Sequence, residues 1–317
     1  MVPGALRIAI AALALLVTTV GCTTSEPPSG RMPVVAAFYP LAEFSRAVGG
    51  DRVEVHTLVP GGVEPHDYDP TPRDMERTQR ARLLVYIGSG FQPGLEKAIA
   101  ATDTPNRVAI DVLHGDGMEL LAAQEEDEDG HAPDGTADEH NEGMDPHVWL
   151  DPVQAQHIVG QIRDALIQID PSGQDTYTAN AQQYLARLDQ LDREYRQGLA
   201  SCARRDFVSS HAAFSYVAHR YALTQVPISG LSPEAEPSPA RLRQIVEETR
   251  RRQAKVIFFE TLVNPKVAEV IAREIGAQTL VLNPIEGLTG EEERQGKGYL
   301  DLMRQNLANL RIALECR

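Results

Sequence analysis

Residues 175–200 read DTYTANAQQYLARLDQLDREYRQGLA. Tyr177, Ala181, Tyr184, Leu188, Leu191, Tyr195 and Leu199 recur at intervals of three and four, the spacing of one apolar helix face. At about 1.5 Å per residue such a helix is about 40 Å long, enough to run the length of a pair of lobes. The stretch predicts a rigid connecting helix, residues 171–201, between two halves of the chain.

Both halves alternate strand-like and helix-like segments. Before the connector, strands are expected at 34–38, 53–59, 83–87 and 107–111, and helices at 41–48, 72–81 and 95–101. Thr71 is placed to cap the second helix, with Pro72 at its first position. After the connector, strands are expected at 207–210, 225–229, 256–259 and 279–282. Helices are expected at 212–221, 239–251 (capped by Ser238), 265–275 and 299–314. This alternation predicts an α/β fold of two lobes, 33–170 and 202–317, each a mostly parallel sheet flanked by helices. The halves share an element order without a clear sequence repeat.

The bulk numbers agree with two lobes. The chain has 317 residues, of which 42% are hydrophobic, so a sizeable core is available. Its net charge of −15 argues against a nucleic-acid partner and suits a protein that attracts cations.

The start of the chain reads as an export signal. Arg7 precedes the apolar run 8–17, and T-T-V-G-C follows, with small Gly21 directly before Cys22. Residues 1–21 are expected to be removed and Cys22 lipidated, although Thr19 stands where such sites usually carry Leu. Residues 22–32, rich in Ser and Pro, read as a tether. With Cys22 committed to lipid, Cys202 and Cys316 remain as a pair in an oxidising compartment. A Cys202–Cys316 disulfide is expected, with two buried free thiols as the alternative. On the chain-entropy account, closing so long a loop contributes about 4–5 kcal/mol.

Residues 119–142 break the alternation. They hold E-E-D-E-D, two glycines, His131 and His140, a composition that predicts a mobile acidic loop. The loop reads either as a solvated insertion or as a region that gathers metal.

Four segments carry the chemistry. G-G-V-E-P-H-D-Y (61–68) presents His66 after a strand. D-P-H-V-W-L-D-P (145–152) presents His147, with Trp149 and Leu150 as anchors. S-S-H-A-A-F-S-Y (209–216) places His211 where a strand gives way to a helix. L-N-P-I-E-G (282–287) offers Asn283 and Glu286. In open α/β sheets ligands bind beyond the carboxyl ends of strands, so all four segments are able to converge in an interlobe cleft. Three neutral imidazoles and one carboxylate suit tetrahedral Zn²⁺.

With G-L-S-P-E-A-E-P-S (230–238), these segments resemble the zinc- and manganese-binding solute receptors of ABC transporters over nearly all of the mature chain. The resemblance implies two α/β lobes joined by one long helix, with the metal in the cleft. It implies an extracytoplasmic, lipid-anchored monomer that delivers zinc to an ABC permease. His66, His147 and His211 match the three histidines of the zinc branch. The manganese branch commonly has a carboxylate where His211 stands. Many relatives carry Asp where this chain has Asn283, and others use the last residue of P-L-E, here Glu286. Glu286 is taken as the fourth ligand, with Glu64 or a water as alternatives. Glu260, ending V-I-F-F-E, is expected to orient a histidine or to cap its strand. The rival readings are a manganese receptor, a zinc hydrolase and a surface adhesin. Against the hydrolase, the sequence holds no H-E-x-x-H helix, nucleophile elbow or phosphate loop.

Overall fold

β1 (Met32–Ala36), α1 (Tyr39–Gly49), β2 (Val53–Thr57), α2 (Pro72–Arg80), β3 (Leu83–Tyr86), α3 (Pro93–Ala100) and β4 (Val108–Asp111) build the first lobe. The structure is a computed structural model and describes residues 30–102, 104–123, 143–233 and 237–317. The expected leader 1–21, Cys22, His131 and His140 therefore lie outside the described residues. The four strands form one parallel sheet in the order β2-β1-β3-β4. Each crossover is long enough to carry a helix, as parallel pairing requires. The start of α2 is fixed as its sequence suggests. The Thr71 side chain accepts from Asp74 N–H, Asp74 accepts from Thr71 N–H, and Pro72 opens the helix.

The second lobe repeats the plan with β5 (Asp206–Ser209), α6 (Ser215–Arg220), β6 (Thr224–Pro227), α7 (Pro239–Arg251), β7 (Val256–Phe259), α8 (Lys266–Ile275) and β8 (Gln278–Val281). Here α4 denotes Pro152–Ile169 and α5 denotes Gln174–Gly198, between the lobes. The chain closes with α9 (Gly290–Arg294) and α10 (Tyr299–Ala313). The second sheet is also parallel, in the order β6-β5-β7-β8. Both lobes thus have the same spatial strand order, which no sequence repeat announced.

The 18-residue α4 was not among the expected elements. Its signals are ordinary ones. Asp151 caps it by accepting from Val153 N–H at 2.9 Å, Pro152 opens it, and Ala155, Ile158, Val159, Ile162 and Leu166 bury one face. They follow directly on the His147 segment and were masked by it. In contrast, α6 is shorter than the expected 212–221. The chain from His211 to Phe214 uses its polar groups elsewhere. The His211 carbonyl accepts from Ser209 Oγ at 2.9 Å and Gln225 Nε2 at 2.8 Å, and Ala212 N–H donates to Gly230 O.

The connecting helix α5 is bonded to both lobes. Its buried face includes Tyr177, Ala181, Tyr184, Leu188, Leu191 and Tyr195. Tyr184 donates to Glu43 of α1 at 3.0 Å, and Tyr195 donates to the Met303 carbonyl of α10 at 2.7 Å. Glu43 also accepts from Tyr299 N–H at 2.8 Å. One hydrophobic cluster consequently runs from β1 through α4 and α5 to α10, continuous between the lobes. A second, smaller cluster around Val208, Ile245, Ile257 and Ile271 lies under α7 and α8. The Cys202–Cys316 disulfide is present and joins the chain entering β5 to the C-terminus. No helix among the described residues is long and apolar enough to cross a membrane.

Candidate metal centre

Two donors come from each lobe. His66 lies in the loop after β2, and His147 on the segment leading into α4. His211 follows β5 by two residues, and Glu286 follows β8. Their Nε2 and carboxylate atoms converge. Glu286 Oε1 lies 3.4 Å from His66 Nε2, 3.6 Å from His147 Nε2 and 3.6 Å from His211 Nε2, and the last two nitrogens are 3.4 Å apart. All four donors lie within 4.8 Å of one another. A tetrahedron with metal–donor bonds of about 2.0–2.1 Å has edges of about 3.3 Å, so these edges are already close to the size of a zinc shell. His147, His211 and Glu286 are at most 1% exposed, and His66 is 9% exposed.

Two of the histidines are locked by carboxylates. Asp145 Oδ1 accepts from His147 Nδ1 at 2.7 Å and from its backbone N–H at 2.9 Å. Glu260 Oε1 accepts from His211 Nδ1 at 2.6 Å and from the Ser210 hydroxyl. Placing the proton on Nδ1 leaves the Nε2 lone pair directed at the cage. The register explains the second lock. Parallel β5 and β7 pair Val208 with Ile257, which carries His211 and Glu260 side by side at the strand ends. His66 has no such carboxylate on Nδ1 among the described residues. Its loop is held by Gln92 Nε2 donating to the Pro65 carbonyl at 3.3 Å, and by Gly62 N–H donating to Leu288 O of the other lobe at 2.8 Å. The Phe91 ring stands against His66 with centroids 4.5 Å apart, and Trp149 continues this apolar wall. Trp149 is fully buried, and its Nε1 donates across the lobes to Pro284 O at 2.7 Å.

Electrostatics divide the cage in the same way. Burial opposes charge on His147 and His211, but their carboxylate neighbours outweigh it. His147 is raised by Asp145 and Glu286, and His211 by Glu260 and Glu286 to about 10. Burial lowers His66. Burial also works against an ionised Glu286, yet the three imidazoles gathered around it, His66 within hydrogen-bond reach, hold its carboxyl well below the usual range. Without metal, the cage therefore balances an anionic Glu286 against a protonated His211.

The other sequence candidates take supporting places. Asn283 is turned away, its amide donating to Glu292 at 3.1 Å and its oxygen accepting from Ile285 N–H at 2.7 Å. Glu64 stands beside the cage, 3.9 Å from His66 Nε2, with its oxygens accepting from the His66 and Asp67 backbone. Burial and the nearby Glu286 push its pKa up to about 7. Asp145, Ser210, Phe91 and Gln92 were not singled out from sequence. The D-x-H spacing signalled Asp145 and S-H signalled Ser210. Phe91 and Gln92 gave no chemical signal beyond the turn before them, where Ser89 and Gly90 adopt φ of 63° and 75°.

Two α/β lobes enclosing a buried tetrad of three imidazoles and a carboxylate define a two-lobed protein whose interlobe donors are spaced to hold one transition-metal ion. The chain belongs to the family described as Zinc-uptake complex component A, periplasmic, which matches residues 34–313. It is 39% identical over 312 residues to the High-affinity zinc uptake system protein ZnuA of Bacillus subtilis strain 168, covering 96% of each chain. It is 37% identical over 292 residues to the Zinc-binding lipoprotein AdcA of Streptococcus pneumoniae strain R6, covering 92% of this chain and 58% of that longer one. Among solved structures, the Zn(II)-bound ZnuA-like domain of Streptococcus pneumoniae AdcA aligns with a TM-score of 0.75 at 36% identity, over 90% of this chain and 100% of that domain.

Proposed function

We propose that this protein is an extracytoplasmic receptor that binds one Zn²⁺ through His66, His147, His211 and Glu286 and hands it unchanged to an ABC permease. The observation that carries this reading is the cage itself: four of its six donor edges are 3.4–3.6 Å, near those of tetrahedral zinc, and all four donors lie within 4.8 Å of one another. The names of its relatives support the same cargo. A carboxylate in the fourth position favours a carrier over a hydrolase, because a catalytic zinc keeps that position for water. The same donor set favours zinc over manganese, which prefers oxygen ligands.

In this reading residues 1–21 direct export and Cys22 carries the lipid that holds a monomer at the cell membrane by the tether 22–32. The lobes are 33–170 and 202–317, joined by 171–201. The acidic loop 119–142, with His131 and His140, is either a solvated insertion or a segment that gathers metal, and its deletion slows zinc loading or lowers total stoichiometry only in the second case. Glu64 and Asn283 support the cage without joining it.

The test is a competition titration of the mature protein with Zn²⁺ and Mn²⁺, in wild type and Glu286→Ala. One tight zinc site, weak manganese binding and a clear loss in the variant are expected. Tight zinc binding untouched by the substitution returns the fourth position to Glu64 or water. Absence of a tight zinc site removes the receptor reading.

A further inference from the structure

Glu260 faces two ways. Its Oε1 is occupied by His211 Nδ1 and the Ser210 hydroxyl, whereas its Oε2 accepts from none of the described residues. The side chain is only 2% exposed. Away from the cage, Glu260 lines a cavity of about 180 Å³ walled by Ile228, Phe259, Val263 and Pro265. Pro233 and Pro237, from the G-L-S-P-E-A-E-P-S motif that supplies no metal donor, also border it. Among the described lining residues Glu260 is the anion. Lys266 is the cation, but it is exposed.

Ser210, Ser229 and Asn264 add polar groups to the apolar side chains of the wall, and a space of this mixed character that reaches a buried carboxylate with an unused oxygen fits an aliphatic stem ending in a positive charge. At roughly 30 Å³ per water, the volume equals about six waters, close to the five heavy atoms of a lysine side chain. We propose that this cavity receives a basic side chain of the permease, and that its charge on Glu260 Oε2 loosens the hold of Oε1 on His211 and speeds zinc release. The proposal rests on the receptor reading above. The physical link is short. A carboxylate that shares its charge with a second cation is a weaker acceptor for Nδ1–H, and His211 becomes a poorer and less firmly oriented donor. Partners of this kind alter metal affinity by about 10- to 100-fold when removed, so partial competition is expected to act within that range. By linkage, zinc and the incoming cation weaken one another by the same factor at equilibrium.

The probe is n-butylammonium chloride, titrated into the zinc-loaded mature protein in an amine-free buffer. Sodium chloride holds the ionic strength constant, and n-butanol serves as the uncharged control. Zinc release into a chelator is followed by stopped flow. The expected result is a saturable rise of at least about threefold in release rate with n-butylammonium alone, with zinc affinity lowered in parallel. Val263→Trp, which fills the cavity from its partly exposed wall, is expected to keep zinc affinity and lose the rise. Equal rates in butylammonium and sodium overturn the proposal, as does a rise that survives Val263→Trp. Slower release in Lys266→Met without any added amine assigns the cavity to the chain's own lysine and overturns a partner's role. A missing tight zinc site at the outset instead counts against the receptor reading.

Discussion

The two lobes share one strand order and each supplies two donors, but they hold them differently. In the C-terminal lobe, His211 and Glu286 follow closely on β5 and β8, and a neighbouring strand supplies Glu260 to orient the imidazole. In the N-terminal lobe, both histidines lie on segments farther from their strands. His147 regains rigidity from Asp145 and Trp149. His66 lacks a carboxylate on Nδ1 among the described residues, and its loop is held by Gln92 on the Pro65 carbonyl, by Glu64 on the His66 backbone N–H, by Phe91 against the ring and by Gly62 N–H on Leu288 O across the cleft. Equal topology therefore does not give equal preorganisation. Three of the four are fixed by packing and charge, and the fourth, His66, is the most exposed of the buried tetrad.

The largest effect that would test this contrast is loss of a fixed donor. His211→Ala is expected to weaken zinc binding by about a thousandfold, or about 4 kcal/mol, whereas His66→Ala costs about a hundredfold. Chelator competition measures both, and equal losses would break the distinction. Next come the orienting carboxylates. Glu260→Gln and Asp145→Asn are each expected to cost about 10- to 100-fold in affinity. Retention of wild-type affinity in both would mean that packing alone holds the rings.

The pH dependence sharpens the same contrast. With a pKa of about 10 in the metal-free protein, His211 carries a proton at neutral pH that zinc must displace. Zinc affinity is then expected to climb about tenfold per pH unit from about 7 towards 10, extending well above the ordinary histidine range near 6.5. Calorimetry in buffers of different ionisation enthalpy should show at least one proton released per zinc at pH 8. The sign for stability follows. The His211 contribution to the metal-free fold is fully present below its unfolded pKa and lost as pH rises through about 10. Glu286, with its depressed pKa, contributes above its unfolded value and loses that contribution as pH falls. Melting temperatures of the metal-free and zinc-loaded forms should diverge across the alkaline window, and parallel curves would remove His211 as the proton carrier.

The smallest effect on binding belongs to the disulfide. Cys202–Cys316 lies before β5, at the end of the strand opposite His211. Replacing both cysteines by serine is expected to lower stability by about 2–5 kcal/mol with little change in zinc affinity. A large loss of affinity would mean that the C-terminal anchor, and not the local carboxylates, fixes the second lobe's donors.

Much of this was readable beforehand for physical reasons that differ by element. The helix α7 was expected at its observed bounds because Ser238 and Pro239 mark its start and polarity marks its face. The long α5 was readable from spacing alone. The sequence did not reveal α4, whose cap belongs to the same D-P-H-V-W-L-D-P segment that presents His147. It also did not show that one core runs through both lobes, since helix packing across lobes leaves no periodic trace. In the site, histidines and carboxylates at strand ends were visible as chemistry. Phe91 and Gln92 were not, because an apolar wall and a backbone tether depend on which loops meet.

The helix α5, with Tyr184 bonded to one lobe and Tyr195 to the other, bears on the molecule's silhouette in solution. A beam pinned at both ends favours small lobe rocking or loop rearrangement over wide hinge closure. Small-angle scattering should then record the same radius of gyration for full and empty receptor. A permease facing this protein would have to distinguish the two by the state of a few rim residues, since their outlines are alike.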